Sequence, residues 1–134
     1  MSDSAASAAA RLVAAAASGE LERLCHREGV DLVVQFGSSV DSRAPGDVDV
    51  AVGLTPRADL IAVVNALADL VPGDHLDVMD LDRAGPVARH RALVGGRVLF
   101  AATPAAFFER ELWAMREYMD TAPLRRALLE HLAR

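Results

Sequence analysis

Two aspartates one residue apart, Asp47 and Asp49, follow a Gly37-Ser38-Ser39 turn, and a third, Asp77, lies in a later apolar segment. In an extended chain, residues two apart share a face. Asp47 and Asp49 are therefore expected to project together, with Val48 and Val50 turned to a core. Such a pair repels itself, and more strongly away from water. A hard divalent cation bound by oxygen ligands relieves that repulsion. Upstream, the apolar run Leu32-Val33-Val34-Gln35-Phe36 ends at Gly37-Ser38, a small-residue turn where backbone N–H groups can meet a phosphate. Two cations need more ligands than two carboxylates supply. Asp77, between Leu76 and Val78 in mid-strand, is the better third ligand, because Asp80 nears the strand end where acids are cheap. Phosphate donors beside a metal-binding cluster point to nucleotide chemistry.

The elements that position these residues follow from periodicity and turn signals. Residues 1–10 are expected to fray. A helix from about Arg11 to Glu28, interrupted at Ser18-Gly19, carries Leu21, Leu24 and Cys25 on one stripe and ends at Gly29. Strands are predicted over 31–36, 47–54, 75–81 and 97–101. The first is nearly continuous in apolar content, as in a strand buried on both faces. A short helical turn should follow Gly37. Thr55-Pro56 reads as the start of a helix running to about Leu70, Pro86–Leu93 as a short helix, and Thr103-Pro104 as the start of another. In that last helix Phe108, Leu112, Met115 and Met119 step along one face, with Phe107 and Trp113 off it. Pro123 breaks it, and a final helix aligns Leu124, Leu128 and Leu132. The order predicts an α+β (mixed α/β) fold: one domain over 1–134, a small mixed sheet flanked by helices, and a helical C-terminus over 103–134.

Composition narrows the function. The 134 residues are 52% hydrophobic and 25% charged, an ordinary globular balance. Aromatics at 4% are too few for a platform that stacks single-stranded nucleic acid, so direct nucleic-acid binding is not expected. No apolar run reaches the roughly 18 residues of a membrane span, and no basic leader precedes the first helix. One cysteine, Cys25, fits a reducing cytoplasm, and the scattered histidines have no zinc spacing. The net charge of −5 is uneven: residues 41–82 hold nine Asp against two Arg, and residues 83–134 nine Arg against five acids. Lysine is absent, which excludes a Walker P-loop and a protein-kinase site.

Phe36-Gly37-Ser38 followed by Asp47-Val48-Asp49-Val50 resembles the GS…DxD signature of DNA polymerase β-like nucleotidyltransferases, and more closely that of the minimal nucleotidyltransferase (MNT) domains. Leu76-Asp77-Val78-Met79-Asp80-Leu81 is similar to the family's third-carboxylate strand. Gly96-Arg97-Val98-Leu99-Phe100 and Glu117-Tyr118-Met119-Asp120 resemble its closing segments, so the likeness spans about residues 20–120. The resemblance implies that Gly37, Ser38 and Ser39 hold the triphosphate of ATP, that Asp47, Asp49 and Asp77 ligate Mg²⁺, and that Asp77 helps deprotonate the attacking hydroxyl. Arg43, between the motifs, would neutralise phosphate charge. It further implies an antitoxin that forms a hetero-oligomer with a HEPN-domain ribonuclease toxin and transfers AMP to a toxin tyrosine. One departure is the loop: eight residues separate Ser38 from Asp47, against about ten in many relatives. The alternative is an antitoxin that neutralises its toxin by binding alone. A haloacid-dehalogenase-type phosphatase also begins with Asp-x-Asp, but there the pair ends its strand, whereas Val50-Ala51-Val52 continues this one.

Overall fold

A computed structural model describes residues 4–41 and 46–133. Its elements are α1 (Ala5–Ser18), α2 (Glu20–Glu28), β1 (Val30–Phe36), α3 (Ser38–Asp41), β2 (Val48–Leu54), α4 (Leu60–Leu70), β3 (Leu76–Asp80), α5 (Pro86–Leu93), β4 (Arg97–Ala101), α6 (Pro104–Asp120) and α7 (Ala122–Leu132). The four strands form one mixed sheet in the order β3-β2-β1-β4. β1 runs antiparallel to both β2 and β4, and β2 runs parallel to β3. This is the α+β arrangement expected from the sequence.

Helices cover both faces of the sheet, which explains why the central strands alternate so little. Leu32, Val34 and Ala51 pack with Leu81, Ala92, Leu93 and Ala114 on the side of α5 and α6. Val33 and Val52 pack with Leu21, Leu24, Cys25, Val63 and Leu67 on the side of α2 and α4. On that same side α1 lays Ala5, Ala8 and Leu12 against Val48, Val50 and Val71. Burial pushes the Cys25 thiol up to about 12, so it packs as a small hydrophobe.

Several boundaries differ from the sequence reading, each for a local reason. α1 begins at Ala5, not near Arg11, because the Ser4 hydroxyl accepts from the Ser7 N–H at 3.1 Å and caps it, and Ala5 and Ala8 are buried. The chain then breaks where the Ser18-Gly19 signal placed it, at Gly19 with φ of +90°. α4 starts at Leu60, not at Thr55-Pro56. Asp59 caps it by accepting from the Ile61 N–H at 3.0 Å, while the Thr55 hydroxyl donates to the Gly29 carbonyl at 2.8 Å. The stripe Phe108, Leu112, Met115 and Met119 does not enter the core. All four are exposed, and α6 instead buries Ala114 and partly buries Phe107. On α7 no described residue is buried, and Leu124, Leu128 and Leu132 face solvent.

Candidate functional site

The site lies at one end of the sheet, where β1 stops and β2 and β3 begin. Antiparallel pairing sets Phe36 opposite Asp49, and parallel pairing sets Asp49 opposite Asp77. Adjacent strands are about 4.8 Å apart, so Phe36, Asp49 and Asp77 form one row across three strands. β1 ends at Gly37, whose φ of +77° swings the chain away into α3. An L-residue would be strained in that left-handed conformation. A Cβ there would also lie 2.6 Å from Asp49 Oδ2. Glycine thus serves twice, making the turn and letting the Asp49 carboxylate lie against the backbone.

α3 is fastened from below. Gln35 is fully buried on β1, and its amide Nε2 donates to the Ser39 carbonyl at 3.2 Å and to Ser39 Oγ at 3.0 Å. Ser39 is accordingly buried and turned inward, whereas Ser38 is exposed at the start of α3. The Gln35 Oε1 oxygen is buried and has no hydrogen-bond partner among the described residues. Of the serines expected at the phosphates, Ser38 faces the open side and Ser39 holds the turn. Arg43 lies outside the described residues.

Asp47 is exposed and immediately precedes β2, which starts at Val48 and not at Asp47 as the sequence reading had it. Val48 and Val50 are fully buried, as the alternation required. Asp49 is half-buried and Asp77 exposed. The Asp49 carboxyl is held above its ordinary range, first by burial and then by the negative charge of Asp77, with Asp47 adding to it and Arg91 opposing. The charges of Asp77 and Asp47 thus both bear on Asp49.

A groove of about 340 Å³ opens over Asp49 and Asp77, bounded by Phe36, Val78, Met79, Ala88 and Arg91. That volume falls within the range of ligand clefts. Arg91, on the last turn of α5, was not anticipated from the sequence. Its guanidinium lies 5.8 Å from the centroid of the Phe36 ring. The available signal was helical spacing: Ala88 and Arg91 are three apart and line the same groove.

The donor set suits a hard cation, since mutually repelling carboxylate oxygens are what Mg²⁺ relieves. Among the described residues no three Asp, Glu, His or Cys side chains, these aspartates included, are grouped so that they could hold a metal ion by themselves. That also suits Mg²⁺, which usually takes one or two carboxylates and completes its octahedron with water and substrate phosphates.

Comparison with protein-family models gave no match, and neither did comparison with curated proteins. Solved structures gave clear likenesses. A chain of the MntA–HepT toxin–antitoxin complex superposes with a TM-score of 0.67 at 21% identity, over 87% of this chain and 96% of that one. A chain of a toxin–antitoxin complex with AMP-PNP gives 0.70 at 20% identity, over 87% and 98%. A third belongs to the Shewanella oneidensis complex of tri-AMPylated HEPN toxin with MNT antitoxin. It gives 0.67 at 21% identity, over 87% and 95%. The chain has the fold of these proteins, the nucleotidyltransferase fold. No helix among the described residues is long and apolar enough to cross a membrane.

Proposed function

We propose that this chain is an MNT antitoxin that transfers AMP from ATP to a tyrosine hydroxyl of a HEPN-family ribonuclease toxin in the cytoplasm. The observation that carries the reading is the row of Phe36, Asp49 and Asp77 across three strands, beside the Gly37 turn and open to a groove. Solved structures of the same fold add weight, one of them a toxin–antitoxin complex with AMP-PNP and one containing an AMPylated toxin.

In this reading Gly37 and Ser38 hold the triphosphate, while Ser39, tied to Gln35, keeps their turn rigid. Arg43 adds charge to the phosphates. Asp47, Asp49 and Asp77 hold magnesium, which when bound neutralises phosphate charge and polarises the α-phosphate. The acceptor oxygen attacks the α-phosphorus in line, and a new O–P bond forms. The bond from that phosphorus to the bridging oxygen breaks, and pyrophosphate leaves with the electron pair. Asp77, the most open of the carboxylates on the strands, takes the hydroxyl proton. Its exposure leaves it within reach of an acceptor hydroxyl entering the groove, the first requirement for a base.

A second reading, neutralisation by binding alone, draws on a different observation. Phe108, Leu112, Trp113, Met119, Leu124, Leu128 and Leu132 are all at least half exposed on α6 and α7. Burying one such side chain is worth about 1.5–3 kcal/mol, so this surface suits a helical partner. In the enzymatic reading the same surface docks the toxin. Co-expression with a HEPN-family toxin that this chain binds separates the two. Wild-type protein should restore growth and soluble Asp49→Asn should not. Equal protection by Asp49→Asn would favour binding alone.

A further inference from the structure

We infer that Arg91 holds the phosphate chain of the nucleotide against the carboxylate row, a positioning contact that deepens the nucleotidyltransferase reading and rests on it. Three other arginines of α5, α6 and α7 are committed elsewhere. Arg89 donates to the Leu81 carbonyl at 2.8 Å and to Ala84 O at 2.6 Å, and pairs with Glu117. Arg110 bridges Asp31 at 3.4 Å and Asp82 at 3.1 Å. Arg125 donates to the Tyr118 carbonyl at 2.8 Å and to Thr121 Oγ1 at 2.6 Å. Arg91 makes no ion pair or hydrogen bond among the described residues, yet it is the cation that lines the acidic groove. Its Nη2 lies 3.5 Å from where a Cβ on Gly37 would sit, on the side of the turn that faces Asp49.

The helix that carries it is firmly seated. Ala92 and Leu93 are buried beside it, and Arg89 ties α5 to the end of β3 and to α6. Gly96 allows a close approach: a Cβ there would collide with the Ala92 carbonyl and lie 2.5 Å from Val34 Cγ1. The guanidinium is thus delivered to the groove by a braced element, beside the Phe36 ring. A planar fork of N–H donors matches two phosphate oxygens at once. Gly37 and Ser38 on one wall and Arg91 on another would grip the phosphate chain from two sides, with the aspartates beneath. Charge developing on the departing pyrophosphate is what such a cation stabilises.

The test is calorimetric titration of wild type, Arg91→Met and Arg91→Lys with AMP-PNP in Mg²⁺, and with adenosine by competition. A hydrogen-bonded charge contact is worth about 1.5–3 kcal/mol, or roughly 10–100-fold in affinity. Arg91→Met should weaken AMP-PNP by at least about 10-fold and leave adenosine within about 2-fold. Arg91→Lys should recover part of the loss. Equal weakening of both ligands, or none of either, would overturn the inference while leaving wild-type nucleotide binding intact. Failure of the wild type to bind AMP-PNP at all would overturn the nucleotidyltransferase reading and this contact with it.

Discussion

Replacing Gly37 with alanine probes the join between the turn and the carboxylate row. Two costs are separable. The backbone holds φ at +77°, where an L-residue pays about 1–2 kcal/mol. The new methyl would also lie 2.6 Å from Asp49 Oδ2, forcing the carboxylate aside at a further cost of about 1 kcal/mol, the low end for overpacking. Gly37→Ala should therefore lower stability by about 2–3 kcal/mol in the wild-type background. In an Asp49→Ala background only the backbone cost remains, about 1–2 kcal/mol. Urea unfolding of the four proteins completes a double-mutant cycle, with an expected coupling near 1 kcal/mol. A domain stable by about 5–15 kcal/mol stays folded throughout. Identical costs in both backgrounds would refute the contact between Gly37 and Asp49, and no cost in either would refute the left-handed turn.

Other perturbations give equally definite expectations. Asp49→Asn should stabilise the metal-free protein by about 0.2–1 kcal/mol, the scale of an opposed cross-strand pair, because it removes a partly buried charge and relieves repulsion from Asp77. The sign with pH follows: the folded carboxyl is raised, so the wild type carries its penalty above the folded pKa and sheds it as pH falls. The gain from Asn should therefore be full near neutral pH and gone below the ordinary Asp value of about 3.9, as thermal melts across pH would register. Leu128→Glu on the exposed face of α7 should leave the isolated chain within about 0.5 kcal/mol of wild type by urea unfolding. Pull-down titrations with the toxin should then show association weakened by at least about 10-fold, the loss of one buried leucine.

How far the sequence foretold this molecule depends on how local each signal was. The α5 and β4 bounds, the Thr103 cap of α6 and the Gly19 break were legible because each rests on a few adjacent residues. Burial of Val48 and Val50 followed from alternation alone. The start of α4 was misplaced because Thr55-Pro56 and Asp59 are both good caps. The choice was made by the Gly29 carbonyl, 26 residues away, which claims the Thr55 hydroxyl. The α6 stripe has core-like spacing, yet it faces out, since the sheet it would cover is already packed by Phe107 and Ala114. Arg91 was missed for a similar reason. Nothing beside it in the chain marks it, and its place at the groove comes from the packing of α5 against β1. Asp49 and Asp77 were named, but their opposition depends on the parallel register of β2 and β3, which one chain's alternation does not specify.

The most direct trial of the whole account is label transfer. Wild-type protein, ATP labelled at the α-phosphate, Mg²⁺ and the HEPN toxin are incubated, and the toxin is resolved and counted. Label is expected on a toxin tyrosine, dependent on Mg²⁺ and lost in both Asp49→Asn and Asp77→Asn while both variants still bind the toxin. A toxin that is bound and silenced without label, or labelling that survives both substitutions, would contradict it.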